Sequence, residues 1–115
     1  MRIKVILFIV ASSVAACAFS SSEVEQSSAI NEKYFRQMEE ARAKLDHAIN
    51  NQVDNNPEKK ALIIALKDAW EKTTYYKCQL ESFDSLSTQA ESAEISDCLT
   101  HQYLTEMEYF THLLP

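Results

Sequence analysis

Residues 29–53, AINEKYFRQMEEARAKLDHAINNQV, decide the fold. Ile30, Tyr34, Met38, Ala41, Leu45, Ala48 or Ile49, and Val53 recur at spacings of three and four, which puts them on one stripe of a helix. Glu32, Arg36, Glu39, Glu40 and Lys44 decorate the other side. The spacing predicts a helix from Ala29 to Val53. Asn50, Asn51, Asn55 and Asn56 compete with helical backbone through their own side-chain hydrogen bonds, so they read as its end.

The pattern recurs twice downstream. In Asn56-Pro57-Glu58, Asn56 can cap a helix, Pro57 suits its first position, and Glu58 favours the positive end of the dipole. A second helix then carries Leu62, Ile63, Leu66, Ala69, Trp70, Thr73, Lys77 and Leu80, and fades near Ser82. Ser82-Phe83-Asp84-Ser85 reads as a turn. Thr88-x-x-Glu91 has the form of a capping box, opening a third helix. Its stripe is Ile95, Cys98, Leu99, Gln102 or Tyr103, Met107, Phe110 and Leu114. There is no glycine among the 115 residues, and tight hairpin turns usually call on one. No stretch shows strand alternation, and no internal repeat is present. The expected fold is all-α: a small three-helix antiparallel bundle with Trp70 as its core anchor.

Upstream, Arg2 and Lys4 precede the apolar run Val5 to Ala11, followed by Val14-Ala15-Ala16-Cys17. A basic start, a short greasy middle and small residues before a cut form a bacterial export signal. The cysteine after two alanines resembles a lipobox. That reading makes 1–16 a cleaved signal peptide, Cys17 the lipidated residue, 17–28 a flexible serine-rich tether and 29–115 the helical domain. A signal cut near Ala16 or Ala18, with Cys17 incidental, is the plainer alternative. The run falls short of the ~20 residues a spanning helix needs, so the lipid is the expected membrane contact. The expected location is the bacterial cell envelope. In a Gram-negative host, Ala18 after the cysteine directs the protein to the periplasmic face of the outer membrane.

With Cys17 lipidated, Cys78 and Cys98 remain as one pair, and in an oxidising compartment they read as a disulfide. Closing a loop of that length stabilises by about 3 kcal/mol in the loop-entropy model. The net charge is −6, and removing Arg2 and Lys4 with the signal deepens it. After Lys77 there is no lysine or arginine, while Glu81, Asp84, Glu91 and Glu94 begin a run of carboxylates. Such a surface repels nucleic acid and anionic lipid and attracts a cationic protein.

Ala69-Trp70, seven residues and then Cys78, followed by Cys98-Leu99 twenty residues on, resembles the exported helical domain of the LprI-type lysozyme inhibitors. The resemblance spans roughly residues 30–114. Thr74-Tyr75 stands where that family often carries an Arg-Asp pair, and Glu106 where it has an arginine. The resemblance implies an envelope-anchored binding module that inhibits lysozyme-like muramidases. A structural or immunity-type envelope lipoprotein with another protein partner is the alternative. No nucleophile–base pair emerges, so an enzyme is not expected. Cys98-x-x-His101 offers too few ligands for zinc, and neither a metal nor a cofactor is expected. Without glycine the usual phosphate-cradling loops are excluded. Candidate partner-binding residues are Glu81, Asp84, Glu91 and Glu94, with Tyr75 and Tyr76, of which at most one can point inward.

Overall fold

A computed structural model describes residues 13–113, with side chains over 25–113. The signal segment lies largely outside these residues, as does the side chain of Cys17. Three helices make up the chain: α1 (Ser13–Asn55), α2 (Lys60–Glu81) and α3 (Glu91–His112). One-turn 3₁₀ helices join them at Pro57–Lys59 and Phe83–Ser85. There is no strand among the described residues.

The order is up, down, up. Ser27 faces Gln89, Arg42 faces Tyr103 and Gln52 faces Phe110, so α1 and α3 run parallel. Thr74 meets Glu106 and Cys78 meets Cys98, so α2 runs antiparallel to α3. The principal packing is between α1 and α3, the two elements most distant in sequence, and α2 leans on that pair.

Met38, Ala41, Leu45, Ala48 and Ile49 are buried on α1, following the expected stripe. Ile30, at its start, is exposed. Leu45, Ala48 and Ile49 join Ile63 of α2 and Phe110 of α3 in one cluster, flanked by Leu66, Trp70, Tyr103 and Met107. The centre is Phe110, at 0% exposure, and not Trp70. Trp70 is only partly buried and packs edge-on against Phe110 (5.5 Å) and Tyr109 (5.0 Å). A fused ring on the thinly packed α2 cannot be covered on both faces, whereas α3 is flanked by both neighbours.

Four local expectations are corrected. Residues 18–28 are helical and continue α1. They contain neither glycine nor proline, and each serine costs at most about 0.7 kcal/mol relative to alanine in a helix. The buried face of α2 is Ile63, Thr74 and Cys78, with Leu66 and Trp70 partly buried. Leu62 and Leu80, expected on that face, stand 76% and 77% exposed, because α2 bears a second apolar stripe one residue out of phase. Asn56 does not cap with its side chain; it is buried and donates to the Gln52 carbonyl (3.3 Å) and Gln52 Oε1 (3.2 Å). Gln52 in turn donates to the Phe110 carbonyl at 2.6 Å, satisfying an acceptor that the end of α3 leaves orphaned. Finally, α3 starts without a side-chain cap at Ala90. Thr88 Oγ1 accepts from the Ala90 amide instead, and Glu91 Oε2 from the Ser87 amide at 3.0 Å.

That loop contains a φ of +65° at Ser87. Left-handed backbone favours glycine, and this sequence has none to place there. The Cys78–Cys98 disulfide, with Cα atoms 5.6 Å apart, ties the end of α2 to the first half of α3 below this loop.

Candidate cation-binding cleft

Between the core and the disulfide the three helices leave an open cleft of about 510 Å³. From α1 come Arg42, Leu45 and Asp46; from α2 Lys67, Glu71, Thr74 and Tyr75; from α3 Leu99, Tyr103 and Glu106. Helical spacing explains the grouping: Lys67, Glu71, Thr74 and Tyr75 lie three or four apart on α2, as do Leu99, Tyr103 and Glu106 on α3.

Glu106 is the chemically distinctive member. It is 9% exposed, and its Oε1 accepts a hydrogen bond from the Thr74 hydroxyl at 2.8 Å. Burial pushes its pKa above the ordinary carboxyl value and the nearby Glu71 carboxylate adds to this, while the Thr74 bond opposes them. None of the four ion pairs among the described residues includes it. The cations on the cleft wall are engaged elsewhere. Arg42 donates to the Tyr103 hydroxyl at 3.1 Å, lies 5.4 Å from that ring's centre, and approaches Glu39 at 3.4 Å. Lys67 stands 4.0 Å from Glu71.

Tyr75 lines the cleft, and Tyr76 follows it on the outer face of α2. Both are exposed, stacked edge-to-face at 5.3 Å, and with Asp68, Glu71 and Lys72 they line a shallow outer depression. Neither enters the core, because Thr74 takes the buried position of that turn. The expected carboxylates divide into two kinds. Glu91 is held by the Ser87 amide and Glu94 accepts from the Ser85 hydroxyl, so both organise the loop. Glu81 and Asp84 are exposed, Glu81 lying 4.0 Å from Lys77 and 3.3 Å from Cys98 Sγ. The exposed Leu80 and Phe83 alternate with them at this end of the bundle. Cys98 is in the disulfide, and His101 faces Asp97 at 3.6 Å on the surface. Among the described residues no cluster of three or more His, Cys, Asp or Glu is arranged to hold a metal, and no helix is long and apolar enough to cross a membrane.

Sequence reasoning missed the cleft. Glu106, spaced one residue from Glu108, reads as part of an exposed helix face, yet it is itself the signal that could have found the cleft, a charge within the register of Tyr103, Met107 and Phe110. Compared with known proteins, the chain matches no protein-family model, no curated protein and no solved structure.

Proposed function

We propose that this chain is an envelope-anchored binding module for a cationic protein, and that lysozyme-like muramidases are the class it inhibits. The observation that carries the reading is the exposed Tyr75, stacked on Tyr76, at the wall of a cleft whose buried carboxyl, Glu106, has no ion-pair partner among the described residues. Tyrosines anchor protein interfaces because they bring large area at low entropic cost. The exposed carboxylates Glu81 and Asp84 would steer a basic partner toward the same end of α2. The resemblance of Ala69-Trp70 through Cys98-Leu99 to the LprI-type inhibitors supports the muramidase class, and the Val14-Ala15-Ala16-Cys17 signal supports the envelope. In this reading the protein binds through its surface and carries out no reaction.

The test is a muramidase activity assay with the oxidised full chain at low ionic strength. Stoichiometric loss of lytic activity is the expected result; undiminished lysis across cationic muramidases removes the inhibitor reading. A second reading, a structural or immunity-type envelope lipoprotein, draws on the uncharged stripe of α2, where Leu62, Ala69, Thr73 and Leu80 are all exposed. That face suits a partner recognised by apolar contact and not by charge.

A further inference from the structure

We propose that the cleft around Glu106 is the pocket into which the protein partner inserts one basic side chain, a lysine or an arginine. This rests on the reading of the chain as a module for a cationic protein, and it names the point of capture.

The cavity has the size and depth for such a group. Its volume of about 510 Å³ falls within the range of side-chain and small-ligand pockets, roughly 300–1,000 Å³. Leu45 and Leu99 supply apolar wall for an aliphatic stem, and the exposed Tyr75 supplies a ring for a cationic head. That a guanidinium suits this wall is visible in the chain itself, where Arg42 lies over Tyr103.

Charge then decides the occupant. The titratable and charged groups that line the cleft with Glu106 are Arg42 and Asp46 from α1, Lys67, Glu71 and Tyr75 from α2, and Tyr103 from α3. Arg42 is held by Tyr103 and Glu39, and Lys67 is drawn to Glu71. Neither neutralises Glu106, whose only hydrogen bond among the described residues is the one from Thr74. A carboxyl taken out of water and set beside a second carboxylate is unfavourable in its charged form. An inserted ammonium or guanidinium supplies the missing charge in a partly dry site, where a charge-assisted hydrogen bond is stronger than on the open surface. An anion entering the same cleft would meet Asp46, Glu71 and Glu106 together.

Binding and protonation are linked. The cation prefers ionised Glu106, so occupancy lowers the apparent Glu106 pKa, and affinity falls on acidification through its titration.

The experiment uses the isotopically labelled full chain and three probes: n-butylguanidinium chloride, n-butylammonium chloride and uncharged 1-butanol. The expected result is saturable shifts of the Tyr75, Tyr103 and Glu106 side-chain signals with a cation and none with the alcohol. The stronger of the two cations identifies arginine or lysine as the inserted residue. Saturating cation should lower the Glu106 midpoint, and Glu106→Gln should weaken cation binding about tenfold, the loss of one charge-assisted hydrogen bond. Tyr75→Ala, at an exposed position that leaves the core untouched, should weaken it too. Absence of saturable shifts, equal binding of the alcohol, or cation binding unchanged in both variants overturns the pocket. If a muramidase binds wild type and Glu106→Gln alike while the probes do not bind, the pocket fails and the binding-module reading stands. If the probes saturate the cleft and no muramidase binds, the pocket stands and the muramidase class fails.

Discussion

Replacing Phe110 with alanine tests the packing that positions the cleft. Phe110 has 0% exposure and meets Leu45, Ala48 and Ile49 of α1 and Ile63 of α2 in one cluster. Truncating a fully buried phenylalanine typically costs about 3–5 kcal/mol through lost transfer energy and the cavity left behind. Two edge-to-face contacts, with Trp70 at 5.5 Å and Tyr109 at 5.4 Å, are lost as well. Each is worth about 0.5–1.5 kcal/mol beyond area burial, which places Phe110→Ala near the top of the range. Trp70 is only partly buried, so water can enter where its ring stood, and Trp70→Ala should cost about 2 kcal/mol. A domain of this length has about 5–15 kcal/mol in all, so Phe110→Ala leaves it marginal and Trp70→Ala does not. Urea unfolding of the oxidised chain, followed by far-ultraviolet circular dichroism, gives both values. The double variant should show a coupling of about 0.5–1.5 kcal/mol. If Trp70→Ala proves the more destabilising, the core is centred on α2 and the arrangement described above is wrong.

The other expected outcomes concern the site and its supports. The raised pKa of Glu106 means that the folded chain holds this proton to higher pH than the unfolded chain does. Its contribution to stability is therefore fully present below the unfolded carboxyl pKa and is lost as pH rises through the folded one. Glu106→Gln abolishes that dependence, so its stability relative to wild type should climb between acid and neutral pH; parallel pH profiles contradict the burial of this carboxyl. Converting Cys78 and Cys98 together to serine should cost about 2–5 kcal/mol by denaturant titration, and an unchanged midpoint would show that the staple constrains nothing. Ser87→Gly should raise thermal stability by about 0.5–1 kcal/mol after the added freedom of the unfolded chain is subtracted, whereas Ser87→Ala should not. Glu81→Gln with Asp84→Asn should leave helicity intact and slow association with a cationic muramidase in stopped-flow mixing; an unaltered rate would place the steering charge elsewhere.

The helical class was legible because every long segment repeats at spacings of three and four and no glycine interrupts them. Met38, Ala41, Leu45 and Ile49 occupy the buried stripe that their spacing implies. The disulfide was legible once the export signal set Cys17 aside, which leaves Cys78 and Cys98 as one pair. The phase of α2 was not, since Leu62, Ala69, Thr73 and Leu80 form as regular a stripe as Ile63, Leu66, Trp70, Thr74 and Cys78. Only tertiary contact, with Thr74 bonded to Glu106, chooses between them. The parallel pairing of α1 and α3 escapes local reading for the same reason, because periodicity reports which face is apolar and not which neighbour covers it. Gln52 illustrates a further limit. A polar residue near the end of a helix reads as solvated, yet here it closes the last carbonyls of α3 across the bundle. The cleft is assembled from residues more than sixty positions apart, from Arg42 to Glu106, and becomes visible only when the three helices are placed.

We propose that this acidic helical domain captures a cationic muramidase. It is tested most directly by the association rate of the oxidised full chain with such an enzyme, measured across a series of salt concentrations. Saturable binding is expected, with an on-rate that falls steeply as salt rises, as exposed charges become screened over about 10 Å at 0.1 M. No binding at low salt, or a rate indifferent to salt, would contradict it.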